Sequence, residues 1–185
     1  MTASEKITVT KLDAARRQLR TAIELWFFDG EPVSIHVLAC SAYQIIHDLN
    51  RRMKGPPLLL DADIIKNEFK KDFVRLAKTP ANFFKHADFR KQKIASIDFN
   101  LAASDGFILF AVRGLHVMGE TLNDVESAFM SWTFIHKPHF LKPEGRKVFF
   151  KEMPVERLDE LRLISKSDFF KAFIEVRRER DAKTH

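Results

Sequence analysis

Residues 32–53, PVSIHVLACSAYQIIHDLNRRM, constrain the fold more than any other stretch of the chain. Pro32 suits the first position of a helix, where its missing N–H would have no intrahelical partner anyway. At about 100° per residue, residues 35–46 are apolar around most of the helix circumference. Such a helix has to be covered on nearly every side, which places it in the middle of a bundle. A chain of 185 residues can supply that cover as one domain, because at this length about two thirds of the unfolded surface is buried.

The covering helices can be read on either side. Leu12, Ala15, Leu19, Ala22 or Ile23, and Trp26 recur at steps of three and four, one inward face that Asp29-Gly30 ends. Asp13 and Arg17 form an acid-to-base pair one turn apart on the opposite side. The short link from Phe28 to Pro32 makes the first two helices an antiparallel αα-hairpin. After the break Gly55-Pro56-Pro57, the residues Ile65, Phe69, Phe73 and Leu76 mark a third helix. Thr79-Pro80 reads as an N-cap followed by Pro at the first helical position, opening a short helix through Asn82-Phe83-Phe84-Lys85-His86. Residues 87–99 read as an exposed basic loop.

Residues 101–118 form a second central helix in spite of Gly106 and Gly114, which lie about 80° apart around it and need not share a packing face. Thr121 with Asp124 approximates a capping box for a helix with Leu122, Val125, Phe129 and Trp132 inside, ended by Pro138. Lys142-Pro143-Glu144-Gly145 reads as another break, and residues 155–180 hold one or two helices. A short strand is left open at 148–150 or at 7–9. The expected fold is all-α: a single-domain helical bundle over residues 1–185 with roughly five to seven helices, a flexible N-terminus at 1–10 and a flexible tail at 181–185.

Composition narrows the function classes. Eighteen Phe against two Trp and one Tyr indicate rings that fill a core. The pairs Phe27-Phe28, Phe149-Phe150 and Phe169-Phe170 stand near helix ends, and adjacent residues point about 100° apart, so one seam does not take both rings of a pair. From that surplus a homodimer through a Phe-rich surface is expected. The single Cys40 has no intramolecular disulfide partner, which suits a reducing compartment. Residues 1–11 lack an apolar leader segment, and the longest apolar run, 107–118, is interrupted by Arg113 and His116. The expectation is a soluble, cytoplasmic protein with no membrane contact. The net charge of +6 gathers at Arg16-Arg17 with Arg20, Arg51-Arg52 with Lys54, residues 85–93 and residues 177–180. It permits RNA or another polyanion as partner, although charge runs on helices are ordinarily solvated faces.

The most informative candidate site lies on the second helix. His36, Cys40, Tyr43 and His47 fall within about 60° of one another on an otherwise apolar helix. Two imidazoles, a thiol and a phenol in one stripe could recognise a polar ligand between helices or move a proton. The competing reading is a stripe where the helix meets the polar boundary of the protein, each group satisfied by a neighbour. His36 and His47 are about 16 Å apart along the helix at ~1.5 Å per residue, so they do not share one ion. No metal site and no cofactor are expected: His136-Lys137-Pro138-His139 is broken by its proline, and the Glu-x-x-His spacing of di-iron bundles is absent.

Asn82, Lys85 and His86, continued by Arg90, Lys91 and Lys93, form a second candidate, a basic edge for nucleic acid. Here resemblances enter. His47-Asp48 resembles the His-Asp pair of all-α, HD-type metal-dependent phosphohydrolases, which implies a metal-dependent hydrolase. Ser34-Ile35-His36 with Asn82-Phe83-Phe84-Lys85-His86-Ala87-Asp88 resembles a group of uncharacterised bacterial helical proteins and is similar to HEPN-type domains, helical bundles found in RNases and toxins. That likeness implies a helical fold and an RNA-directed role, with Asn82 to His86 in place of the Arg-x4-6-His motif, which this chain does not carry near the start of a core helix. The principal expectation is a non-enzymatic helical domain that binds a partner protein or a small polar ligand. The alternatives are a HEPN-like RNA-binding or RNase-related protein and an HD-type hydrolase.

Overall fold

The computed structural model describes residues 6–58, 67–86, 96–151 and 154–183. Among them are eight α-helices and one 3-10 turn, with no strand. In chain order the helices are α1 (Lys11–Phe27), α2 (Pro32–Arg52), α3 (Asn67–Lys85), α4 (Ala102–Val117) and α5 (Asp124–His136). The 3-10 turn Pro138–Phe140 follows, then α6 (Pro143–Phe149), α7 (Val155–Leu163) and α8 (Lys166–Ala182). The fold is the expected all-helical bundle, with one helix more than the expected range. None of the helices, among the described residues, is long and apolar enough to cross a membrane.

Local chemistry sets the first hairpin. Thr10 caps α1 by accepting from the Asp13 N–H at 3.0 Å, while the Asp13 carboxylate accepts from the Thr10 N–H at 3.0 Å. Ala15, Leu19, Ala22, Ile23 and Phe27 form its buried face. At its end the Gly30 N–H reaches back to the Leu25 carbonyl at 2.8 Å. The left-handed residue of this turn is Asp29, at φ 50°, and not Gly30. Gly30 is required for space, since a Cβ there would stand 3.0 Å from the Leu25 side chain. The end of α2 repeats the device: Lys54 takes φ 56°, and the Gly55 N–H bonds the Asn50 carbonyl at 2.9 Å.

As its apolar circumference requires, α2 lies against α1, α3 and α4. Its approach to α4 is close enough that a Cβ on Gly114 would sit 2.5 Å from Ile46 Cγ2. Gly106, on the same helix, faces open space, with nothing within 4 Å of its would-be Cβ. Across the other seam, Arg16 of α1 donates to the buried Glu126 of α5 at 3.3 Å and to Glu120 at 3.1 Å. Burial holds the Glu126 carboxyl above its ordinary pKa, against the pull of the Asn123 N–H and Arg16.

Several local expectations need correction. Thr79-Pro80 does not start a helix: α3 runs through Pro80, and the Thr79 hydroxyl donates to the Arg75 carbonyl at 2.7 Å. An internal proline costs about 3 kcal/mol; around it Ala81 is buried in the core and Ala77 packs partly buried against it. Ile65 lies outside the described residues, as do residues 87–95 of the expected basic loop. The cap of α5 is Asn123 rather than Thr121, in a reciprocal box with Glu126 at 3.0 and 2.9 Å. Lys142-Pro143-Glu144-Gly145 is the start of α6, with Pro143 in its first turn, and residues 148–150 are not a strand. Residues 7–9 have no regular structure, and α8 continues through Ala182, past the expected start of a flexible tail.

The phenylalanine pairs answer one another inside the chain. Phe27 stacks on Phe170 at 4.7 Å and on Phe169 at 6.3 Å, while Phe28 meets Phe170 edge-on at 5.7 Å. Phe149 packs edge-on against Phe134 at 5.4 Å. Phe27, Phe169 and Phe170 are thus buried where α1 and α8 meet, Phe149 lies against α5, and Phe28 keeps 49% of its surface exposed.

Candidate functional site

The α2 stripe is an interior seam. The His36 imidazole has no solvent exposure and is enclosed by Phe99, Phe107 and Phe84 at ring distances of 4.7, 5.4 and 6.2 Å. Its Nδ1 lies 3.2 Å from Ser104 Oγ, and its buried Nε2 has no partner among the described residues. Burial, with a smaller push from the Lys85 charge, lowers its pKa to about 4, so it is neutral at ordinary pH. Cys40 is buried, and burial raises its thiol pKa against the opposing charges of Lys85 and Lys78. Tyr43 is buried beside Phe107 and His47, and His47 Nδ1 is 3.3 Å from the Asp48 carboxylate. The four stripe residues thus lie at a helix-packed interface, and none of them lines the cleft described below.

The second candidate splits. Asn82, Lys85 and His86 are exposed at the end of α3, whereas Arg90, Lys91 and Lys93 lie outside the described residues. Phe84, between them, turns inward onto His36 and Phe99. His136 and His139 have different surroundings. His136 stacks on Trp132 at 3.8 Å, and His139 is exposed against Phe140. Among the described residues no three His, Cys, Asp or Glu side chains converge where they could hold a metal ion.

What the fold does open is a cleft of about 1040 Å³ between α4 and α5. Leu109 and Phe110 of α4 and Met130 and Phe134 of α5 wall it, and Phe140, Leu141 and Gly145 of the turn and α6 form its lip. Gly106 faces this space, which is why its missing side chain has no neighbour to meet. At one end, Asp105 accepts from the Trp26 indole N–H at 2.7 Å and from the Lys137 ammonium at 3.3 Å. Beside it the His136 Nδ1 is 3.0 Å from the Trp132 carbonyl. A carbonyl only accepts, so Nδ1 carries the hydrogen of this contact. At the other end stand Arg113 and His116, both exposed, on the last turns of α4. Asp105 and His116 are eleven residues apart, about 16 Å at ~1.5 Å per residue.

A signal for this site existed in the sequence. At about 100° per residue, Asp105 and His116 lie within ~20° of each other, with Arg113 and Gly106 about 80–100° round from Asp105, on an otherwise apolar helix. The set spans a wider arc than the α2 stripe, and only the tertiary arrangement shows that it borders open space. Comparison of the chain with models of known families, with curated proteins and with solved structures found no match in any of the three.

Proposed function

We propose that the chain is a non-enzymatic helical domain that binds a small, mainly apolar ligand in the α4–α5 cleft. The observation that carries this reading is the combination of size and lining. About 1040 Å³ walled by Leu, Phe and Met side chains, with a few polar groups at its ends, stands at the upper end of small-molecule sites, which span roughly 300–1,000 Å³. The polar groups at the Trp26 end are engaged with one another, Asp105 with Trp26 and Lys137 and His136 with a carbonyl, which suits a positioning role better than a reactive one. His36, Cys40, Tyr43 and His47, expected to face a small polar ligand, do not line this cleft.

Both tryptophans of the chain, Trp26 and Trp132, line the cleft, so intrinsic fluorescence reports its occupancy. Titration with the neutral dye Nile red should give saturable energy transfer from tryptophan. Gly106→Phe, which fills the cleft from a position open to substitution, should abolish the signal while the variant still melts cooperatively. An absence of saturation, or unchanged binding by folded G106F, refutes the reading.

A second reading is favoured by the exposure of Asn82, Lys85 and His86: contact of this edge with RNA, continued in sequence by Arg90, Lys91 and Lys93. Filter binding at two salt concentrations tests it, because phosphate contacts weaken steeply as salt rises. Affinity that does not change in Lys85→Gln, or that ignores salt, rejects it.

A further inference from the structure

From the distribution of charge around the cleft we infer that its ligand is an elongated amphipathic anion, with a single acidic head at Arg113 and His116 and an apolar body along Leu109, Phe110, Met130 and Phe134. This rests on the cleft being the binding site. The charged residues that line it are Arg113, Lys137 and Lys142 against Asp105 and Glu144, with His116 and His136 in addition. At the Trp26 end the charges are closed on one another, since Asp105 takes both the indole N–H and the Lys137 ammonium. That end receives an apolar terminus without leaving a charge uncompensated. Lys142 and Glu144, two residues apart on the lip, cancel in net charge.

Arg113 and His116 are left over. They are neighbours on the helix face at a spacing of three, both are exposed, and no hydrogen bond or ion pair holds either among the described residues. The negative end of the α4 dipole tolerates cations in its last turns, but it offers the guanidinium no acid to grip. A carboxylate is the ligand group that matches this gap, because guanidinium binds it through two parallel hydrogen bonds and the imidazole adds a third donor. A cationic head is repelled there, and a neutral one forgoes the charge-assisted bonds. From Asp105 to Arg113 the α4 wall runs about 12 Å at ~1.5 Å per residue, with Leu109 and Phe110 between them, which fits an extended chain.

The test is displacement of bound Nile red by three probes of equal chain length, decanoate, decanol and decyltrimethylammonium, below their aggregation concentrations. Decanoate should displace the dye at a concentration at least about tenfold below that of decanol, the factor expected of one charge-assisted pair. The ammonium should be the weakest. Arg113→Gln should bring decanoate down to the level of decanol and leave decanol unchanged, and His116→Gln should do so in part. Equal displacement by decanoate and decanol overturns the assignment of an anionic ligand while leaving the cleft as a binding site. A decanoate preference that survives both substitutions also overturns it, since the head then binds elsewhere. If Nile red itself fails to bind, it is the cleft reading that falls, and the two failures are thereby distinguished.

Discussion

Gly106 and Gly114 occupy the same helix eight residues apart, and replacing each by Ala should move stability in opposite directions. In a helix interior Ala is favoured over Gly by about 0.8–1.0 kcal/mol wherever the methyl has room. At Gly106 it has room, since nothing stands within 4 Å of the added Cβ. G106A should therefore stabilise the protein by about 1 kcal/mol, a rise in Tm of roughly 2–4 °C for a chain of this size. At Gly114 the same methyl would lie 2.5 Å from Ile46 Cγ2 and 3.1 Å from Leu58 Cδ1. Ile46 is fully buried and Leu58 nearly so, and neither can swing aside without disturbing its own packing. Overpacking of this kind costs about 1–3 kcal/mol. After the propensity gain is subtracted, G114A should range from near neutral to about 2 kcal/mol less stable, and should never match G106A. Urea unfolding monitored by circular dichroism measures both, and equal slopes in denaturant would show that native compactness is retained. If G114A proved as stabilising as G106A, the close approach of α2 to α4 would be wrong. The cleft and the core would then have been assigned to the wrong faces of α4.

Burial pulls the His36 imidazole down to about 4, so the unfolded chain binds a proton there between pH 6.5 and 4 that the native state does not. Stability is thus complete above that window and falls through it, by about 2 kcal/mol between pH 7 and pH 5. His36→Gln should flatten the profile, and an unchanged slope would refute the assignment. Gly55→Ala places a Cβ 2.0 Å from Asn50 Oδ1 and displaces the Asn50 amide from the Pro56 carbonyl, which it meets at 2.9 Å. A loss of about 1–2 kcal/mol is expected. It should be strongly non-additive with Asn50→Ala, and strict additivity in the double mutant would count against the contact. Asp105→Ala strips the Trp26 indole and Lys137 of their shared acceptor and should cost about 1–3 kcal/mol with a change in tryptophan emission. A silent spectrum with unaltered stability would mean the bond is not formed in solution.

The parts of this fold that could be read from the chain are those decided within a few residues. Pro32 at the head of α2, the turn at Asp29-Gly30 and the stripe Leu19–Ile23 of α1 each rest on local chemistry that nothing distant opposes. Thr79-Pro80 misleads because its residues suit a cap locally, whereas α3 continues through them with the Thr79 hydroxyl turned back to the Arg75 carbonyl and Ala81 buried in the core. Asn123 rather than Thr121 caps α5 because it has Glu126 three residues on for the reciprocal box, a pairing visible in the sequence. For the site, residue chemistry on one helix was not enough. His36, Cys40, Tyr43 and His47 form a polar stripe whose rings and thiol meet the bundle interior, and the rings of Phe84, Phe99 and Phe107 come to His36 from three separate segments. Asp105, Arg113 and His116 span a wider arc that stays open because Gly106 contributes no side chain and α5 diverges from it around the cleft.

The contact between the first and the last helix has a consequence for how the chain is made. Lys166 lies over the Trp26 ring at 4.5 Å, donates to the Trp26 carbonyl at 3.1 Å and pairs with Asp29, while Phe169 and Phe170 cover Phe27. These partners are 140 residues apart in sequence. At a synthesis rate of about 5–20 residues per second, the α1–α2 hairpin, complete at Arg52, waits roughly 6–23 s before Lys166 of the helix that seals its aromatic end is made. Through that interval Phe27, fully buried in the finished protein, has no partner from α8. A ribosome-stalled chain ending before Lys166 should therefore be markedly more prone to aggregation than the released protein.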